Sequence, residues 1–567
     1  MIWLVWRVRF RVRPWLGILG ALAIATPAPS LRAQDAAKSQ APASGAPQQP
    51  NTSPKTLTCT IDLSPKVLPA PLAEALHLYR TGRFDESAAA YNAIIASNSA
   101  DAALAYTGLA RVYLKQKKTN DAFAAASKAV ALTPGKTPAI TALGEVYFRQ
   151  GKLKEAEDSF VNPLKACDID ARSYLGLSKI SRATSNDKRG KDFVTHAYKL
   201  DPADPDIQRA YMGTLNHGEL LAFLRDYLSH ETNDDAEHRK DLEHELVVLE
   251  NEDGESRHTC HLVSKLTSTQ TKLETLMDDP NRIRGFAMKV KVNGATGRLL
   301  LDTGAGGITI DKKIAERARV KKIVEAEARG VGDKGAAPGY LGFADSIQIG
   351  DLQFEDCYVD VVNRNSVVDD DGLIGADVFG SYLVDIDFRA AKFKLTPLPP
   401  YPDEAPAEAT LDSQPAPGFH LHDRYIAPEM KDYTPIFRFG HMLLIPTTVN
   451  DSAPMLFLID TGAFDNMITP EAARQVTKIS RDPYAQVKGL NGEVKDVYRA
   501  NKADLKFARF KQDREDLTTF GLDHISNSIG TEVSGILGFR MLFVLDIKID
   551  YRDGLVDFTY APPGSKR

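Results

Sequence analysis

The 567-residue chain lacks any dense block of lysine or arginine, and its 70 basic and 75 acidic residues nearly balance. Nothing in that charge pattern suits a nucleic-acid binder, whose affinity rests on a clustered excess of cations. After the first thirty residues there is no second long apolar run, which excludes a further helical membrane span. Cysteines are few, and Cys59, Cys167, Cys260 and Cys357 stand too far apart to form a metal-binding motif. The 12 histidines include no HExxH or comparable ligand pair, and His420 and His422 read as surface residues. No metal site is expected.

What is present begins with a charge pattern. Arg7, Arg9, Arg11 and Arg13 precede an apolar stretch, Trp15 to Thr26, followed by Pro27 and Pro29. That order reads as an export signal over residues 1–33, with cleavage after Ala33; an uncleaved membrane anchor is the alternative. Either way the body of the protein is expected outside the cytoplasm, periplasmic or secreted, attached to a membrane only if the segment is retained. Export permits disulfides. Cys59 and Cys260 flank the helical region below, and both a staple between them and buried free thiols stay open. At 43% apolar residues and this length, several domains are expected.

Residues 34–70 begin in Ala, Pro, Ser and Gln with few large apolar side chains, the composition of a linker. Helical pairs follow. Tyr79, Tyr113 and Tyr147 recur every 34 residues, as do Ala88, Ala122 and Ala156, while Gly82-Arg83-Phe84 and Gly151-Lys152-Leu153 mark turns within pairs. A small residue where helices cross and an aromatic in the groove is what stacking of such units requires. The region 71–210 resembles the tetratricopeptide family, with three clear repeats and a degenerate fourth near 168–203. A peptide-binding groove and a spacer role are both open. Residues 211–280 read as a helical connector.

From residue 281 the apolar period changes to two, as in Met288, Val290 and Val292, which predicts strands. A Pro- and Ala-rich stretch within 398–433 divides this region into 281–397 and 434–563. Each half contains an apolar strand running into the same turn: Leu299-Leu300-Leu301 into Asp302-Thr303-Gly304-Ala305, and Leu456-Phe457-Leu458-Ile459 into Asp460-Thr461-Gly462-Ala463. Nine residues after each aspartate stands a helix N-cap candidate, Asp311 and Thr469. Glycine-rich turns follow at nearly equal distances, Gly330-Val331-Gly332 and Gly489-Leu490-Asn491-Gly492. Then come Gly372-Leu373-Ile374-Gly375 and Gly535-Ile536-Leu537-Gly538, where glycines suit backbone packed against a neighbouring strand. Twelve residues beyond each second glycine lie Asp387 and Asp550, read as turn caps.

Lone Asp-Thr-Gly turns are common, but this ordered series, occurring twice, resembles the retropepsin-like aspartic peptidases. The resemblance implies an all-α tetratricopeptide solenoid followed by two mainly-β lobes in a bilobal acid-protease fold. It implies catalysis by Asp302 and Asp460, with Thr303, Gly304, Thr461 and Gly462 supporting the two loops. The hairpins at Gly330, Gly332, Gly489 and Asn491 would close over a peptide or protein substrate. No metal or organic cofactor enters such a mechanism. The pattern departs from retroviral relatives after each motif: Gly306 and Phe464 stand where an acidic residue is usual, and Asp465 follows one position later. A non-catalytic peptide-binding scaffold and lobes that pair only between chains remain alternatives. The run Asp369-Asp370-Asp371 reads as a solvated loop without calcium-ligand spacing.

Overall fold

The computed structural model describes residues 2–3, 31–33, 68–97, 99–165, 169–230, 236–250, 260–266, 268–280, 282–364, 370–401 and 424–560. Most of the export segment and its linker, Cys59, Cys167, Asp369, His420 and His422 lie outside the described residues. Among those described, no helix is long and apolar enough to cross a membrane.

Four helical pairs open the fold: α1 (Ala70–Arg80) with α2 (Phe84–Ala96), α3 (Ala102–Lys115) with α4 (Thr119–Leu132), α5 (Thr137–Arg149) with α6 (Leu153–Lys165), and α7 (Ala171–Ala183) with α8 (Asp187–Leu200). Their apolar positions follow the helical period, as with buried Leu72, Ala75, Leu78 and Tyr79 on α1. Ala122 and Ala156 are fully buried, and Ala88 is partly exposed. Phe160 is held between Gly144 and Gly176, where an added Cβ would come within 2.8 Å and 2.4 Å of its ring. The degenerate fourth repeat is a complete pair. Its α7 is capped by the Asp170 side chain accepting from Ser173 N.

The solenoid then curls onto itself. Helix α9 (Pro205–Met212) returns to α1: Tyr79 Oη donates to Asp206 Oδ2 at 2.9 Å across 127 residues, and Arg80 pairs with Asp201. Arg172 on α7 pairs with Asp204 at 2.7 Å and reaches Asp206, as does Lys115 from α3. Burial would push Asp206 up, but Lys115, Arg172 and Lys179 around it hold the carboxyl well below its usual range. Helices α1 and α9 thus share one polar network. Helices α10 (His217–Ser229) and α11 (Ala236–Glu250) follow.

The connector is not helical up to residue 280. Strands His261–Leu262, Thr269–Lys272 and Glu274–Asp279 precede the expected boundary, the last forming a hairpin with Arg282–Val292. This stretch contains several threonines, and its strands gain partners far along the chain, which a local pattern does not display. Cys260 is bonded to Cys357, fastening this entry strand to Leu352–Val362 beside the Leu262–Phe354 pairing. A staple between Cys59 and Cys260 is therefore excluded.

In the first lobe Gly372–Ile374 runs between Ala295–Leu301, parallel, and Ile308–Asp311, antiparallel. In the second, Gly535–Gly538 runs parallel to Met455–Asp460 and antiparallel to Met467–Ile468. The expected tight approach is real: a Cβ on Gly372 would stand 2.1 Å from Thr309 O, and one on Gly535 2.3 Å from the Phe457 ring. The predicted caps also form, Asp311 on α12 (Lys312–Ala318) and Thr469 on α13 (Pro470–Val476).

A six-stranded sheet joins the lobes through the antiparallel pair Tyr382–Asp387 and Leu545–Asp550. Asp387 and Asp550 terminate these strands and accept turn hydrogen bonds from Ala390 N and Asp553 N, so both cap turns. The solenoid is fused to the second lobe as well. Phe148, Phe160, Leu177 and Phe193 share one buried cluster with Leu444, Leu456, Leu458 and Ile536. Thr531 Oγ1 donates to Phe148 O at 2.6 Å, and Arg438 pairs with Asp187 at 2.7 Å.

Asp370 does not lie in a solvated loop. It is buried between Arg298, at 2.9 Å, and Arg284, while Asp371 accepts from Arg298 N. Two arginines from adjacent strands converge on it and supply the partners that a buried carboxylate requires.

Candidate active site

The strand ends Leu299–Leu301 and Leu456–Ile459 are apolar because both faces are covered there, and each delivers its aspartate to the seam between the lobes. Asp302 and Asp460 are fully buried. Asp302 Oδ1 accepts from Gly304 N at 2.9 Å; Asp460 Oδ1 accepts from Gly462 N at 2.8 Å and Ala463 N at 3.0 Å. Each carboxyl lies on the other lobe's glycine: a Cβ on Gly304 would be 2.6 Å from Asp460 Cγ, and one on Gly462 2.3 Å from Asp302 Oδ2. Only glycine permits that approach.

The threonines lock the two loops reciprocally. Thr303 N donates to Thr461 Oγ1 at 3.1 Å and Thr461 N to Thr303 Oγ1 at 3.0 Å, while the hydroxyls donate across the seam to Ile459 O at 2.8 Å and Leu301 O at 2.9 Å. All four groups are buried, so each bond replaces water that is absent. The remaining carboxyl oxygens, Asp302 Oδ2 and Asp460 Oδ2, have no hydrogen-bond partner.

Comparison with known proteins agrees with this geometry. A family model described as aspartyl protease matches residues 288–378 and 445–540. Both lobes have the retropepsin-like aspartyl protease fold. A tetratricopeptide repeat model matches residues 72–137. Among solved structures, a thermophilic tetratricopeptide protein of Thermus thermophilus is 21% identical, with a TM-score of 0.26, over 32% of this chain and 96% of its own. No curated protein matches.

Burial and the neighbouring Asp460 push Asp302 well above the usual carboxyl range; burial raises Asp460 to about 6. Two carboxyls so placed titrate together, so these shifts describe the pair.

The hairpins close the cleft tip to tip. Strands Lys321–Gly330 and Ala337–Ile349 form one, and Val487–Gly489 with Gly492–Val494 the other. Asn491 N donates to Val331 O at 2.9 Å, Lys334 N to Asn491 O at 2.9 Å, and Asn491 Nδ2 to Gly335 O. Gly332, at φ +133°, lies where a Cβ would meet the Asn491 carbonyl carbon at 2.2 Å; Gly489 similarly abuts Val331 O. Thus Gly332, Gly489 and Asn491 meet at one junction, and Gly330 ends the strand that leads into it. Their apolar neighbours exchange lobes: Val331 is buried in the second lobe's cluster and Leu490 in the first lobe's.

Several residues beside the pair were not singled out from the sequence. His441, from the second lobe, lies against Gly306, where a Cβ would come within 2.6 Å of Nδ1, and burial pushes its imidazole down to about 4. At the corresponding place in the other lobe, the Arg282 guanidinium stands 5.1 Å from the Phe464 ring centre. Asp377 accepts from Gly307 N, with burial raising it to about 6. Asp465, which the sequence did single out, faces Arg540 at 3.5 Å. The sequence signal was the repeat offset: His441 and Arg282 precede their aspartates by nearly equal distances. Tyr340 is on the shaft of its hairpin, opposite Glu325, and not at the tip.

Proposed function

We propose that this chain is an exported aspartic endopeptidase in which one water, held between Asp302 and Asp460, attacks a peptide carbonyl. The observation that carries the reading is the mutual burial of the two carboxyls, each on the other's glycine, with one oxygen of each left without a partner. Asp302, raised further, holds the proton; Asp460 accepts one from the water. As the carbonyl carbon becomes tetrahedral, Asp302 keeps its proton and donates a hydrogen bond to the developing oxyanion, and Asp460 then passes the water's proton to the leaving nitrogen as the oxyanion collapses to the acid product. The reaction consumes one water and regenerates the singly protonated pair.

Thr303, Gly304, Thr461 and Gly462 hold both loops in place, and the joined hairpins must part to admit a polypeptide and then exclude water. The pairing of lobes through Tyr382–Asp387 and Leu545–Asp550 supports a site built within one chain. The arginine-rich N-terminal run supports export, and the repeats support docking of a protein. Asp302→Asn and Asp460→Asn should each abolish hydrolysis of an unfolded protein substrate. Undiminished cleavage by either variant would contradict the dyad, and absent cleavage by the parent chain would leave the non-catalytic scaffold as the better reading.

A further inference from the structure

We propose that the closed solenoid binds an acidic peptide segment in the cavity between its inner wall and α14 (Asp523–Ile529) of the second lobe. The proposal rests on the reading of the repeats as a docking element and gives it a site and a ligand chemistry. Where α9 returns to α1, the inner wall borders a partly open cavity of about 330 Å³. Seven cationic side chains line it against two acidic ones, Glu145 and Asp206.

The acids are already engaged. Glu145 pairs with Arg111 at 3.1 Å and lies 3.6 Å from Arg172, and Asp206 meets Lys115 and Arg172. Among the described residues, Lys117, Lys179 and Arg209 line the same cavity with no carboxylate at ion-pair distance. Lys179 is exposed and lines the space, its Nζ 5.8 Å from the Phe148 ring centre. All three are exposed, so they draw a carboxylate by a field that salt screens. The cavity is in the size range of a ligand larger than a bare ion. Its walls also offer Leu114, Phe148 and Leu175. Cations interleaved with apolar faces suit a polypeptide carrying Asp or Glu.

The second lobe closes one side. Arg149 donates to Asn527 Oδ1 at 2.6 Å and to Ser526 O at 3.4 Å, and Gly530 borders the space. A few residues on, the chain enters Gly535–Gly538, the strand that pairs with Phe457–Asp460. A peptide in this cavity therefore borders Asn527 and Gly530, just before that strand.

The test uses the full chain carrying Asp460→Asn, so that no peptide is consumed and binding is read independently of catalysis. Fluorescence anisotropy follows a labelled alternating Ala/Glu octapeptide, its Ala/Lys counterpart, and competition by inorganic phosphate. The Ala/Glu peptide should bind in a salt-sensitive way, and Lys179→Glu and Arg209→Glu should each weaken it by about tenfold or more, whereas Lys179→Arg retains it. Circular dichroism confirms that the variants are folded. Absent binding, equal binding of the Ala/Lys peptide, binding unchanged by both charge reversals, or displacement by equimolar phosphate would each overturn the proposal. Preference for the Ala/Lys peptide would do so while leaving a docking role intact.

Discussion

Asp385 stands directly opposite Lys548 in the sheet that joins the lobes, and the two occupy the same position in the duplicated halves. Each lies two residues before its turn-capping aspartate, Asp387 or Asp550. A pseudo-two-fold axis passes between them and on between Thr303 and Thr461, whose backbone and hydroxyl bonds are reciprocal. The two aspartates are thus placed by symmetry within one chain.

That relationship makes the threonines a sensitive point. Thr303→Val keeps the shape but removes an acceptor for Thr461 N and a donor to Ile459 O, leaving buried groups without partners. Stability should fall by about 1–3 kcal/mol, and kcat should fall more than KM rises, because the loop geometry is disturbed and the cleft walls are not. Chemical denaturation and steady-state kinetics on the same preparation check both.

The hairpin tips give a separate prediction. Leu490→Ala removes an apolar side chain buried in the opposite lobe, with a cost on the order of 2–4 kcal/mol to the closed junction. Hydrogen exchange at residues 328–335 and 487–494 should accelerate, and kcat/KM should drop, while the solenoid's exchange stays unchanged. Unaltered exchange at the tips would show that the junction does not depend on this contact.

Asp370 offers a contrast between buried and exposed charge. Asp370→Ala strands Arg284 and Arg298 without their shared partner and should destabilise the protein by roughly 3–5 kcal/mol. Removing the exposed Lys154–Asp158 pair should cost less than about 0.5 kcal/mol. Thermal melts of Asp370→Ala and Asp158→Ala compare the two directly.

What could be read from the sequence divides along the same line of local against distant. The Asp-Thr-Gly-Ala turns, the caps Asp311 and Thr469 and the glycines beside Thr309 and Phe457 are local chemistry, repeated twice, and their positions follow from it. The burial of Asp370 depends on arginines 72 and 86 residues away, and three consecutive aspartates look solvated without them. Phe148 and Phe160 look like ordinary groove-filling aromatics of a solenoid, so nothing in their spacing shows that they also pack on Leu444 and Leu458. The ring closure through Tyr79 and Asp206, and the pairing of Cys260 with Cys357, likewise join partners with no shared local pattern.

The protonation of the pair fixes a pH dependence. Burial raises Asp460 to about 6, so below that pH both carboxyls hold protons and no base is available. Peptide hydrolysis should therefore decline as pH falls through about 6, read as the acid limb of kcat/KM and assigned to the pair. For stability the sign is opposite. A carboxyl whose folded pKa is raised favours the folded state below its unfolded value near 4 and loses that contribution as pH rises to about 6. Asp460→Asn should accordingly be more stable than the parent at pH 7, and the difference should vanish below pH 4.

The most direct test of a site shared within one chain is complementation. Asp302→Asn and Asp460→Asn are purified separately, assayed alone, then mixed, unfolded and refolded together before assay. Pairing within each chain predicts no hydrolysis in either preparation or in the mixture. Activity recovered only on mixing would mean that lobes from different chains combine, and would contradict the account.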